Sequence, residues 1–363
     1  MKKYHGLTRP QKPDWQGLVD NILRKGTPRR VHHMELFQDF EISQGIAARF
    51  DLAAGIDPGD PDFMRKKYIA VQRFCGFDYA AAALRQGWVF HNQVIDDVAA
   101  APHKNGRSYR DEHTGPIASW EDFEKYPWPD PTIPEATLDL EWYQQNLPDD
   151  MCIVAIGTGH FAEFITWLMG YESLCYALYD NRDLVKAIAD RLVEYFRAAL
   201  EQILRFDRVK MIFASDDMGF RGGLLISPAD AREFWLPGHK ALAEMSHAAG
   251  RPYLLHSCGN LYDVIDDLID DVKIDAKHSF EDTIEDVRQV KGTYGRRIAL
   301  IGGIDVDFLC RADEQAIRKR VRETLDVCLP GGGFCLGSGN SVANYIPLDN
   351  YLAMLDEGQL YGR

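Results

Sequence analysis

VKMIFASDDMGFRGGLLISPADAREFWLPGHKALAEMSHAAGRPYLLHS, residues 209–257, reads as one strand–helix–strand unit. Its first run, Val209–Ser215, and its last, Pro252–Ser257, are nearly continuous in apolar residues. Strands of that kind belong in a parallel sheet covered on both faces. Ser227 and Pro228 open the helix between them: serine can accept from first-turn amides, and proline fits the first turn. Gly250 marks its end. Parallel strands cannot be joined by a tight turn, so a helix must carry the chain back across the sheet.

The same alternation extends in both directions. Val31–Phe37, Cys152–Thr158, Val272–Ser279, Arg297–Gly302 and Gly333–Leu336 are further expected strands, and Asp78–Leu84 is an Ala-rich segment that reads as strand or helix. Leu184–Phe206, Thr283–Lys291 and Glu314–Leu329 have helical apolar spacing. About eight strand–helix repeats predict an α/β fold, a (β/α)8 TIM barrel, in preference to a doubly wound sheet. No GxGxxG follows a strand and no GxxxxGK[ST] occurs, so dinucleotide and P-loop sites have no support. The first 28 residues read as a helical extension. Residues 85–150, with the Pro-rich YPWPDPTIP, read as a lid-like insertion after the second strand. The whole chain, 1–363, is then a single barrel domain.

Lys and Arg number 41 against 55 Asp and Glu, a net charge of −14, which argues against a nucleic-acid surface. The N-terminus MKKYHGLTRPQKPDWQGL has no apolar core of a signal peptide, and no stretch is apolar enough to span a bilayer. Seven cysteines, an odd number, suit a reduced, cytoplasmic chain. The Trp-bearing insertion is expected to cover the mouth or to form an oligomer surface, a homodimer included.

In a barrel of this type the site lies at the C-terminal strand ends. Polar residues collect there: Glu35, His160, Asp216 and Asp217, His256 and Cys258, Lys277, His278 and Glu281, Asp305, then Cys335 and Asn340. His256 and Cys258 are two apart on one strand and therefore share a face. Imidazole and thiolate are ligands that zinc prefers, and Cys335 is a candidate third. The plainer alternative makes Cys258 a small core residue and His256 a hydrogen-bonded one. Asp216 and Asp217 are a carboxylate pair that binds substrate or metal, or caps the following turn. Glu35, on a buried strand, needs a partner.

The motifs RVHHMELF (30–37), DDMGFRGGLLISP (216–228), HSCGN (256–260), RIALIGGID (297–305) and GGGFCLGSGNSV (331–342) resemble the uroporphyrinogen decarboxylase superfamily, and within it the corrinoid-related methyltransferases. The likeness covers about Arg30 to Leu355. It implies Zn2+ held by His256, Cys258 and a later cysteine, with a corrinoid (cobalamin) carried by a partner protein and a small methylated substrate. Cys335 is near the expected place, but aligning the glycines puts the family cysteine nearer Gly339–Asn340; Asp217, Glu35 or Glu281 then become candidates for the third ligand. Asp217, His160 and Glu281 are expected to orient substrate or supply a proton, and Glu35, Asp216, Lys277, His278, Asp305 and Asn340 to bind substrate. A tetrapyrrole-carboxyl decarboxylase and a non-catalytic corrinoid- or tetrapyrrole-binding protein are the alternatives. The arginine motif expected for the decarboxylases is not found.

Overall fold

A computed structural model describes residues 4–9, 11–96, 107–111 and 113–362. Its centre is a sheet of eight strands: β1 (His32–His33), β2 (Tyr79–Ala82), β3 (Cys152–Ala155), β4 (Val209–Ser215), β5 (Tyr253–His256), β6 (Ala276–His278), β7 (Ala299–Ile304) and β8 (Phe334–Ser338). The hydrogen-bonded order is β1-β8-β7-β6-β5-β4-β3-β2, all parallel. This is the cyclic order of a (β/α)8 barrel opened between β1 and β2. Side chains bridge that seam. The Tyr79 hydroxyl accepts from the Glu35 amide at 3.1 Å and donates to the Glu35 carbonyl at 3.0 Å. His32 Nδ1 lies 2.7 Å from Asp78 Oδ2. The expected TIM-barrel class is thus the observed one.

The apolar runs account for the layering. β3, β5, β7 and β8 are buried at every position, because helices cover one face and the barrel interior covers the other. Asp78–Leu84 resolves as strand: Tyr79–Ala82 pairs along Cys152–Ala155, so sheet pairing overrides the helical preference of alanine. β1 is much shorter than the apolar run Val31–Phe37. Beyond His33 the pairing continues only through the Met34 amide to the Leu336 carbonyl and a bridge between Gln38 and Val342.

The helix expected from Ser227 to Gly250 is two, Pro228–Phe234 and Leu236–Ala248, broken at Trp235 just before Pro237. Ser227 caps the first as expected, its hydroxyl accepting from the Asp230 amide at 3.1 Å. The helix expected at Thr283–Lys291 starts only at Val287, where Asp286 caps it.

Within the N-terminal extension, helix Trp15–Ile22 packs at the start of β8. Its Asn21 amide donates to the Phe334 carbonyl at 2.8 Å and its carbonyl oxygen Oδ1 accepts from the Gly333 amide at 3.0 Å. In the segment 85–150, residues 97–106 and 112 lie outside the described residues. The remainder holds an antiparallel hairpin (Asn92–Ile95 with Arg107–Arg110) and helices Trp120–Lys125 and Leu138–Asn146. Trp88 packs edge-on against Tyr195 and Phe164, with ring centroids 4.6 and 4.9 Å apart. Among the described residues no helix is long and apolar enough to cross a membrane.

Candidate functional site

A cavity of about 420 Å³ opens at the C-terminal ends of the strands. Leu36, Phe37 and Ile156 form its apolar wall, and His160, Glu163, Asp217, His256, Cys258 and Asn340 supply the polar groups. Among the described residues no arginine or lysine lines it.

The parallel ladder builds the floor. The Asp216 amide donates to the His256 carbonyl at 2.9 Å and the Ser257 amide to the His278 carbonyl at 2.7 Å, so the ends of β4, β5 and β6 are held in step. His256 and Cys258 share the cavity side, with Cys258 Sγ and His256 Nε2 3.5 Å apart. Gly259 follows at φ +83°, where a Cβ would stand 2.1 Å from the Gly219 backbone; glycine is needed for this turn. Asp217 comes from the loop after β4. Its Oδ1 accepts from the Cys258 amide at 3.2 Å and lies 3.5 Å from His256 Nε2. One ligand atom from each of Asp217, His256 and Cys258 falls within 4.8 Å of the others.

Burial works to raise the Asp217 carboxyl, but His256 and the Cys258 thiol and amide outweigh it and bring it down to about 2. Burial, reinforced by the Asp217 charge, pushes the Cys258 thiol well up. Behind the trio, His256 Nδ1 is 2.7 Å from His278 Nδ1. Burial, with His256 and Lys277 nearby, holds His278 well below the usual histidine range, so it is neutral. One imidazole of this pair must donate and the other accept. When His256 donates from Nδ1, its Nε2 lone pair is free to face Asp217 and Cys258. A partner on the far nitrogen is the usual way of orienting a histidine ligand.

Cys335 is not part of this group. It is the second residue of β8, near the strand's start, and its sulfur accepts from Asn21 of the N-terminal helix at 3.4 Å. The expectation that it ligates the metal is corrected by depth: the cavity is at the other end of the strands. Asn340 occupies the position suggested by the glycine alignment. Its amide donates to Cys258 Sγ at 3.2 Å, so an amide stands beside the sulfur and Asp217 makes the third donor.

Four other expected site residues are turned to structure. Fully buried Asp216 accepts from the amides of Phe161, Ala162 and Glu163 at 2.8–3.1 Å and lies 3.0 Å from His239 Nε2, which caps helix Phe161–Met169 and leaves no room for substrate. Asp305 accepts from the Phe308 and Asp282 amides, each at 2.9 Å. Glu35 lies under the cavity wall, accepting from the Ser338 hydroxyl at 2.6 Å and amide at 3.0 Å; burial pushes its carboxyl up to about 8. His278 backs His256 instead of touching the cavity. Lys277 and Glu281 line a different hollow behind the Cys258 loop.

His160 does line the cavity, and with it stands a residue the sequence reading missed. Glu163 Oε2 is 2.6 Å from His160 Nδ1. Burial alone would lower His160, but Glu163 raises it, and burial pushes Glu163 itself to about 7. The H-x-x-E spacing at a helix start was the signal for this pair. His160 also stacks on Phe164, with centroids 5.0 Å apart.

Strand-end ligands around a barrel mouth define a barrel with a candidate metal centre. The family model for uroporphyrinogen decarboxylase (URO-D) matches residues 112–360, and the chain belongs to that family. Among solved structures, a methyltransferase from Methanosarcina mazei is similar over 95% of this chain and 98% of its own, with 17% identity and a TM-score of 0.66. A protein described as a candidate vitamin-B12-independent methionine synthase from Listeria monocytogenes is similar over 93% of this chain and 98% of its own, with 13% identity and a TM-score of 0.50. At these identities the likeness is one of fold. No curated protein matches the sequence.

Proposed function

We propose that this chain is a zinc-dependent methyltransferase that moves a methyl group between a small methylated compound, such as a methoxylated aromatic, and the corrinoid of a separate protein. The observation that carries this reading is the Asp217–His256–Cys258 group on the floor of a cavity that, among the described residues, no lysine or arginine lines. The donor set fits zinc: an imidazole nitrogen oriented from behind, a sulfur, and a carboxylate already ionised. The Cys258 proton is released when a metal is taken up. When bound, the ion supplies Lewis acidity to a substrate oxygen or sulfur.

The chain's own residues do the rest. Leu36, Phe37 and Ile156 exclude water from the methyl group. Asn340 steadies the sulfur. His160, with Nδ1–H held by Glu163, keeps its Nε2 proton. When the methyl–oxygen bond breaks, the methyl passes to the acceptor, the electron pair stays on oxygen, and that oxygen takes the His160 proton. A porphyrinogen with many carboxylates is disfavoured because the lining carries Asp217 and Glu163 and, among the described residues, no lysine or arginine to receive it. The seven free thiols suit the cytoplasm.

Free cob(I)alamin and a panel of methoxylated aromatics, methylamines and methanol test the reading. The protein should form methylcobalamin from at least one donor, read by absorbance, and His256→Ala and Cys258→Ala should abolish it. No methylcobalamin from any donor, with carbon dioxide released from uroporphyrinogen by metal-free protein, would overturn it in favour of a decarboxylase.

A further inference from the structure

Lys277 follows the strand alternation that turns His278 inward: it points outward from β6, between Leu255 of β5 and Leu300 of β7. There it enters a hollow whose wall includes Gly259, the residue after the candidate ligand Cys258. Its accessible space is about 40 Å³, and Leu261, Ile265, Ile284 and Ile298 also line it. The Lys277 ammonium donates one hydrogen bond, to the Ser279 carbonyl at 2.5 Å, and sits 4.5 Å from the Phe280 ring centroid. An ammonium has three donors, so two remain. Glu281 and Glu285 line the same hollow, yet no carboxylate among the described residues forms an ion pair with Lys277. Burial outweighs the pull of Cys258, Glu285 and Glu281 and lowers Lys277 to about 8. A half-buried ammonium with no carboxylate in contact has donors left for an anion.

We propose that this hollow is a second binding site, separate from the metal centre, for a monocarboxylate with a short apolar tail. The carboxylate takes the spare Lys277 donors in this hollow, whose small volume limits the ligand to a compact molecule. The tail lies along its isoleucines. Glu281, close by, selects against a second negative charge. Gly259 lines this hollow and its neighbour Cys258 lines the cavity, but the two share no lining residue.

Calorimetric titration of the protein as purified with propionate, and with neutral propionamide, tests this. Propionate should bind at millimolar concentration and propionamide should not. Lys277→Met should weaken propionate about tenfold or more, the scale of a charge-assisted hydrogen bond. Glu281→Gln should tighten it about threefold by removing a like charge. His256→Ala should leave it unchanged. The proposal is overturned if propionate does not bind, if Glu281→Gln weakens binding, or if His256→Ala abolishes it, which would place the carboxylate on the metal. The titration reads a hollow that shares no lining residue with the cavity, so its failure leaves the proposed methyl transfer standing.

Discussion

Glu35 gives a prediction whose size follows from its surroundings. The side chain is 3% exposed, and its hydrogen bonds from Ser338 do not offset the loss of water. Its carboxyl is pushed from 4.5 to about 8. Between those values the unfolded chain releases the proton and the folded chain keeps it. Stability from this group is therefore full below pH 4.5 and declines as pH rises to 8. At ~1.4 kcal/mol per pH unit the decline totals about 5 kcal/mol. Glu35→Gln keeps an acceptor for the Ser338 amide and cannot ionise. Urea unfolding at pH 5, 6.5 and 8, followed by circular dichroism and fluorescence together, should show the wild type losing about 3.5 kcal/mol more than Glu35→Gln over this range. Parallel pH profiles in the two proteins would refute the reasoning, and with it the assignment of Glu35 to structure.

Asp216→Ala uncaps three amides and strips His239 of its carboxylate; it should cost about 3 kcal/mol or more, seen as a lower thermal midpoint, and an unchanged midpoint would contradict the capping role. Glu163→Gln removes the charge that holds His160 up, so His160 should titrate at lower pH in imidazole NMR spectra; an unmoved titration would separate the two residues. In methyl-transfer assays the same variant should shift the acid-requiring limb of the rate profile to lower pH.

Much of the architecture was legible because burial on both faces of a parallel sheet leaves a strong mark. Val209–Ser215 appears as a strand with the expected bounds, and Glu314–Leu329 as a helix ending one residue early. Boundaries failed where tertiary contacts decide. β1 stops at His33 although its apolar run continues, and the long helix after Ser227 breaks ahead of Pro237.

The site was legible where alternation carries just past a strand end: His256 closes β5, and Cys258, two residues on in the following turn, still faces the same cavity. It was less so where a side chain's depth along the barrel matters: Cys335 lies near the start of its strand, five positions before Asn340, which reaches the cavity beyond the strand's end. Carboxylates at strand ends were the hardest to sort. Asp216 and Asp217 are neighbours in sequence, yet one is spent on a helix start and the other faces the cavity. Only the fold reveals which amides compete for each.

In the proposed enzyme His256, Cys258 and Asp217 hold the metal and Cys335 does not. Zinc per chain, measured by mass spectrometry on purified protein, tests it most directly. Wild type and Cys335→Ala should each carry close to one zinc, and His256→Ala and Cys258→Ala should carry none. A wild type without metal, or zinc retained in His256→Ala and lost in Cys335→Ala, would contradict the account.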